Sequence, residues 1–269
     1  MTLAGKAVAD GAAIQHSGAV LETLETYYDA APRPRATTEE VGPFTLFIRN
    51  SPSGFQYYAR PRLGASSEIT TADVEAVLAR QRELDVPRAI EWVHETTPSL
   101  LEAARASATL TIEECPCLIL DAHRAHQPPE NFTVEVLAAD DERLGAVNAA
   151  VHAAFSGTDE VGAPDAGNRP DMIRDGLLSQ VGVFDSDGQA VGGGGHGPRG
   201  SITELAGIAV LPRARRHGLG SAVTSALVTD ALGRGLETIF LSAASMDAAR
   251  IYETVGFRRT ATACIAEAS

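Results

Sequence analysis

The sequence predicts an α/β (α+β) protein of two domains, in which strands and helices alternate along most of the 269 residues. Three observations carry this. The stretch Ile202–Gly220, ITELAGIAVLPRARRHGLG, links an apolar run of strand length, Leu205–Leu211, to a basic loop and a helical segment. Pro212 has no backbone donor and a fixed φ, so the strand stops there, and Ala222, Leu227, Ala231 and Leu232 then recur at helical spacing. Next, Glu237–Ala243 reads as a buried strand, and Met246–Val255 as a short helix stopped by Gly256. Finally, the first part of the chain runs strand, strand, helix, strand, helix, strand. Asp121–Asn131, with two prolines and no apolar period, reads as the linker after it. The expected domains are therefore 1–125 and 126–269.

In chain order, Ala12–Ala30 reads as a helix ended by Pro32-Arg33-Pro34-Arg35. Phe44–Arg49 and Tyr57–Arg60 are expected strands around a turn at Ser51-Pro52-Ser53-Gly54. Thr70 or Thr71 caps a helix over Ala72–Leu84, with Asp73 and Glu75 favouring its positive end. Ala89–Val93 is a buried strand holding the only Trp, Trp92. Thr97 then caps a helix over Pro98–Ala106, and Thr109–Leu120 returns as a strand. After the linker come strand Phe132–Ala138, helix Asp141–Phe155, a polar segment Ser156–Asn168 and a helix over Pro170–Leu178. Gln180–Phe184 and Gln189–Gly194 form a hairpin around Asp185-Ser186-Asp187-Gly188. The glycine run Gly192–Gly195 marks either a close approach of substrate or backbone, or a flexible strand end.

The loop at Arg213–Ser221 has the makings of an anion site. A helix that begins there presents free N–H groups and a partial positive charge, and Gly218 and Gly220 let a phosphate approach the backbone. Arg213, Arg215, Arg216 and His217 add countercharge. A Walker A loop is excluded, because no Lys follows the glycines and Lys6 is the only lysine. A three-glycine dinucleotide fingerprint is excluded too, since residue 223 is Val.

What Arg215-x-x-Gly218-x-Gly220 does resemble is the Arg/Gln-x-x-Gly-x-Gly/Ala pyrophosphate loop of the GNAT family of acetyl-CoA-dependent N-acetyltransferases. Ile208-Ala209-Val210-Leu211-Pro212 matches the family's preceding strand. Downstream, Ser245-x-x-Ala248-x-x-Ile251-Tyr252-x-x-x-Gly256-Phe257 resembles the second family signature, with Ser245 where Asn is usual. The resemblance covers about residues 130–269 well. It implies a mixed, mostly antiparallel sheet flanked by helices, and it makes the first part of the chain a smaller, degenerate GNAT-like half of a tandem protein. No pyrophosphate loop precedes Ala72, where Glu68 and Asp73 would repel one, so a single acetyl-CoA site is expected.

The resemblance also assigns roles. The pyrophosphate of acetyl-CoA falls on the N–H groups of Arg216, His217, Gly218, Leu219, Gly220 and Ser221, with Arg215 beside them and Ser245 near the cofactor. N–H groups of Ile208, Ala209 and Val210 bind pantetheine and polarise the carbonyl, with Gly207 permitting a bulge that frees them. Glu204 is the expected base, through water, and Tyr252 the expected acid toward sulfur; His152 and His196 stand behind as second-choice bases. Asp159, Glu160 and Asp165 are placed either to hold a cationic substrate or as a solvated acidic loop. The expected activity is acetyl transfer to a primary amine of a small molecule by direct attack. A protein amino group as acceptor, and an acetyl-CoA-binding regulatory pseudoenzyme, are the alternatives.

Composition bounds the partners. The formal charge is −13, which disfavours a nucleic-acid backbone and suits an amine. A homodimer is left open. Cys115, Cys117 and Cys264 make no disulfide framework, and the chain lacks a signal peptide pattern and an apolar span of membrane length, so a cytoplasmic protein is expected. His123 and His126 share a metal-ligand spacing but lack further ligands in register, so no metal is expected.

Overall fold

The computed structural model describes residues 18–51, 56–65, 68–107 and 109–268. The start of the first expected helix and most of the turn at Ser51–Gly54 lie outside them. The chain divides into two compact units: residues up to Cys115 together with Thr260 onward, and Pro116–Arg259.

In the first unit, helix α1 (18–30) leads to strands β1 (Ala36–Val41), β2 (Phe44–Arg49) and β3 (Ala59–Pro61), then helix α2 (Thr71–Glu83), strand β4 (Ala89–Val93) and helix α3 (Pro98–Ala106). Strand β5 (Leu110–Leu120) begins here, and β11 (Phe257–Ala268) ends here beside β4, pairing Cys264 with Trp92. The pairs β1 with β2, β2 with β3 and β4 with β11 are antiparallel, whereas β3 and β4 are parallel through Ala59 and Ile90. Helix α2 forms because Thr70 and Asp73 close a capping box, and Val74, Val77, Leu78 and Gln81 recur on one buried stripe. Thr97 sits at the cap position of α3 without a capping bond, contrary to expectation, so Pro98 is what starts that helix. The unit's core gathers Phe44, Leu46, Val74, Leu78, Trp92 and Leu100.

The second unit contains β6 (Phe132–Leu137), helices α4 (Leu144–Phe155) and α5 (Arg169–Arg174), β7 (Ser179–Asp185), β8 (Ala190–Arg199), β9 (Ile202–Val210), helix α6 (Leu219–Gly233), β10 (Thr238–Ser242) and helix α7 (Met246–Val255). Its strands follow the order β5, β10, β9, β8, β7, β6. Only the β9–β10 pair is parallel. The sheet is thus mixed and mostly antiparallel, with helices packed on it, as the sequence predicts.

The glycine run belongs to the interior of β8, and the close approach comes from backbone. A Cβ on Gly192 would stand 2.4 Å from the Ala209 carbonyl oxygen, and one on Gly193 would stand 2.4 Å from that of Val181. The expected linker is irregular but strapped down. Asp121 and Ala122 N–H donate to the Gly256 carbonyl, and His123 Nε2 lies 3.1 Å from Ser225 Oγ. The compact units meet in sequence between Cys115 and Pro116 and again between Arg259 and Thr260, and the linker lies wholly in the second.

Candidate active site

Strand β9 carries the centre of the site because it changes neighbours along its length. Its parallel ladder to β10 runs from Ile202 with Thr238 to Glu204 with Phe240, and β9 then continues to Val210 against β8 alone. The β8 ladder slips between Gly193 and Gly195, which face Ala209 and Ala206. Gly207 sits in that slip at φ +65°, where a side chain is disfavoured, so the expected bulge is present. Ala206 and Gly207 are exposed and Ile208, Ala209 and Val210 half-buried, which leaves one edge of a central strand accessible. Glu204 stands half-buried at the last rung.

After Leu211 the chain makes one 3₁₀ turn, Pro212–Ala214, and reaches α6 through Arg215, Arg216, His217 and Gly218. Gly218 is the N-cap at φ +74°, with no side chain bonded over the helix end. A Cβ there would meet nothing within 4 Å, and at Gly220 only the Ile251 side chain at 3.6 Å. No side chain of Gly218 or Gly220 stands over the first helix turn, a geometry that suits an anion. Arg216 is exposed in the left-handed region, φ +64°. Leu219 buries its side chain in the core, and Ser221 Oγ lies 3.4 Å from Thr254 Oγ1. Arg215 braces the loop by donating to the Val210 and Ala154 carbonyls. His217 Nδ1 lies 3.3 Å from the Ala214 oxygen.

Helix α7 brings the second motif. Ser245 caps it by accepting the Ala248 N–H at 3.1 Å, so the serine does locally what an asparagine would do. Tyr252 packs against the core, with its ring 6.4 Å from that of Phe257. Burial pushes its phenol above the ordinary value of 10, so the hydroxyl keeps its proton. Gly256 ends α7 at φ +110°, and a Cβ there would stand 1.8 Å from the Ala122 oxygen.

The acidic loop divides its labour. Asp159 accepts the Arg213 N–H at 3.0 Å and so buttresses the basic loop. Glu160 and Asp165 line a cavity of about 360 Å³ with Asn148, His152, Ser156 and Thr158. His196 is not poised for solvent or substrate. It is 1% exposed, with Nδ1 3.0 Å from Thr203 Oγ1 and Nε2 2.8 Å from Asp230 Oδ2. His123 and His126 both meet Ser225, through a ring nitrogen and a backbone N–H. Among the described residues no group of three or more His, Cys, Asp and Glu gathers.

Residues 158–257 match the family model described as acetyltransferase (GNAT) family. This stretch is a GNAT domain. The whole chain resembles a GCN5-related N-acetyltransferase from Kribbella flavida, at 20% identity over 93% of this chain and 95% of that one, with a TM-score of 0.74. It also resembles a GCN5-related N-acetyltransferase from Sphaerobacter thermophilus, at 15% identity over 72% and 64% of the two chains, with a TM-score of 0.55. A tandem GNAT protein from the clavulanic acid biosynthesis pathway matches at 13% identity over 84% and 78%, with a TM-score of 0.52. None of the curated proteins matches. At these identities the likeness is one of fold, and the fold is that of acyltransferases.

Missed in the sequence were Thr254, Ser225, Ser179 and Asp230. Asp230 carries the one local signal, the single charged residue of helix α6.

Proposed function

We propose that the protein transfers the acetyl group of acetyl-CoA to a primary amine of a small molecule by direct attack. The observation that carries this reading is the uncapped amino end of α6 at Gly218, reached directly from the strand that has parted from β10 after Glu204. N–H groups from Arg216 to Ser221 would hold the pyrophosphate, and the exposed edge Ile208–Val210 would pair with the pantetheine arm. When bound there, acetyl-CoA supplies an activated thioester carbonyl. The N–H groups freed by the bulge donate to its oxygen as negative charge builds on it. Glu204, through water, accepts the proton that the ammonium must lose before it can attack. Tyr252 retains its O–H and donates it toward the departing sulfur.

Glu160 and Asp165 give this open depression an acidic lining that suits a cationic acceptor, whereas Asp159 is committed to Arg213. Ser245 still caps α7, so the substitution for the usual Asn leaves the start of the helix that carries Tyr252 intact. Cys115, Cys117 and Cys264 are buried and form no disulfide, which suits a cytoplasmic setting. Among the described residues no helix is long and apolar enough to cross a membrane.

A panel of small primary amines with acetyl-CoA, read by thiol release, tests the proposal. Amine-dependent release supports it; acetyl-CoA binding without release for any amine or for lysine peptides contradicts it.

A further inference from the structure

A buried polar cluster in the second unit takes no part in the steps above. Asp230 Oδ2 accepts from Ser179 Oγ at 2.7 Å, Arg234 Nε at 2.7 Å and His196 Nε2 at 2.8 Å. His196 Nδ1 lies 3.0 Å from Thr203 Oγ1. Ser179, His196 and Thr203 are each at most 1% exposed. Burial alone would push the Asp230 carboxyl up, but hydrogen bonds from His196, Arg234 and Ser179 outweigh it and hold the group well below the carboxylate range. An ionised carboxylate only accepts, so Nε2 of His196 carries a proton. The cluster thereby ties β7, β8 and β9 to α6.

We infer that the buried cluster Ser179–His196–Asp230–Thr203 is a positioning device for Glu204, an inference that rests on the role proposed for that carboxylate. Thr203 and Glu204 are consecutive on β9, so Thr203 turns toward α6 and Glu204 toward the opposite face. At Thr203 the strand still has rungs on both sides, to Pro198 and Ile239; beyond Glu204 the β10 side has none. The cluster adds restraint from the helix side at the point where lateral support ends. Asp230 also lies twelve residues beyond Gly218 on α6, about 18 Å along a rigid rod. One set of bonds thus fixes both the strand that carries the base and the axial place of the helix end that binds phosphate. Buried polar networks add little net stability compared with apolar packing, but they select one geometry.

The test uses the full chain, with Thr203→Val and Asp230→Asn made alone, together and in a Glu204→Gln background, and ethylenediamine as the probe amine. Each single variant should lower kcat about tenfold, with the amine KM within about threefold, and the pair should be no slower than the worse single. In the Glu204→Gln background Thr203→Val should change kcat by less than about twofold, because the group it positions is already gone. A melting temperature that falls while kcat stays at wild type, or losses that multiply in that background, would overturn the proposal. A wild-type rate for Glu204→Gln alone would overturn both the base and its positioning. Should ethylenediamine give no turnover, amide hydrogen exchange decides. Thr203→Val should speed exchange at 204–210 and not at 132–137, and unchanged exchange at 204–210 sinks the proposal.

Discussion

Helices α2 and α6 hold the same place in their units, each running from one strand to a parallel neighbour, yet their first turns are built in opposite ways. At α2 the Thr70 hydroxyl accepts the Asp73 N–H at 3.3 Å, and the Asp73 carboxylate accepts the Thr70 N–H at 2.9 Å. The capping box takes up the Asp73 N–H, and a negative charge stands where a phosphate would go. At α6 the cap is Gly218, which has no side chain to take up the donors, and the neighbours are Arg215, Arg216 and His217. The parallel strands differ likewise. Beyond Glu204, β9 leaves β10, whereas beside the Ala59–Ile90 rung Arg60 and Glu91 form an ion pair at 2.5 Å, with the guanidinium 3.9 Å from the centre of the Tyr28 ring. The same order of elements thus leaves an open helix end in one unit and a closed one in the other. A few residues at one helix start decide which.

The contrast is broken most severely at the open end. Replacing Gly218 and Gly220 together with Val puts a β-branched residue at φ +74° and side chains over the N–H groups, and should weaken acetyl-CoA binding at least about 100-fold. Calorimetry showing wild-type affinity would remove the loop from the account. Glu204→Gln keeps shape but loses charge, so the rate should fall by about 10² to 10⁴-fold at neutral pH and recover in part as rising pH supplies free amine. Tyr252→Phe should slow the reaction without that recovery, and a pH-rescued Tyr252→Phe would exchange the two roles.

Much of the fold was legible locally. Strand β4 and helices α3 and α7 have the bounds that their apolar pattern, Pro98 and Gly256 predict. The glycine loop and its helix follow from spacing alone. Strand β1 escaped because ATTEEV is mostly exposed and lacks apolar alternation, and β11 because Arg258, Arg259 and Thr260 interrupt its apolar residues. The glycines of β8 left two readings open, a close approach or a flexible strand end, and the Ala209 and Val181 carbonyls that press on them decide for the approach of backbone. The cluster around Asp230 joins residues 34 and 51 positions apart, a distance at which periodicity carries no information.

Smaller changes sharpen the comparison. Thr70→Ala should cost about 1 kcal/mol of stability, read by denaturant unfolding, and leave acetyl-CoA affinity unchanged. A change in affinity would mean that α2 contributes to the site after all. The strap over the second unit should give a pH signature. Burial and, to a lesser degree, His126 hold the His123 ring below its ordinary value of 6.5. The unfolded chain therefore binds more protons than the folded one just below that pH, so stability should fall as pH drops through about 6.5 and level off below the folded value. His123→Gln should flatten that slope, and an unchanged slope in the variant would assign it to another group.

The central claim, one open helix end and one closed, is tested most directly by titrating the full chain with acetyl-CoA in a calorimeter. One molecule should bind per chain, with binding abolished by the Gly218 and Gly220 substitutions and untouched by Thr70→Ala. Two molecules per chain, or one that survives the glycine substitutions, would contradict it.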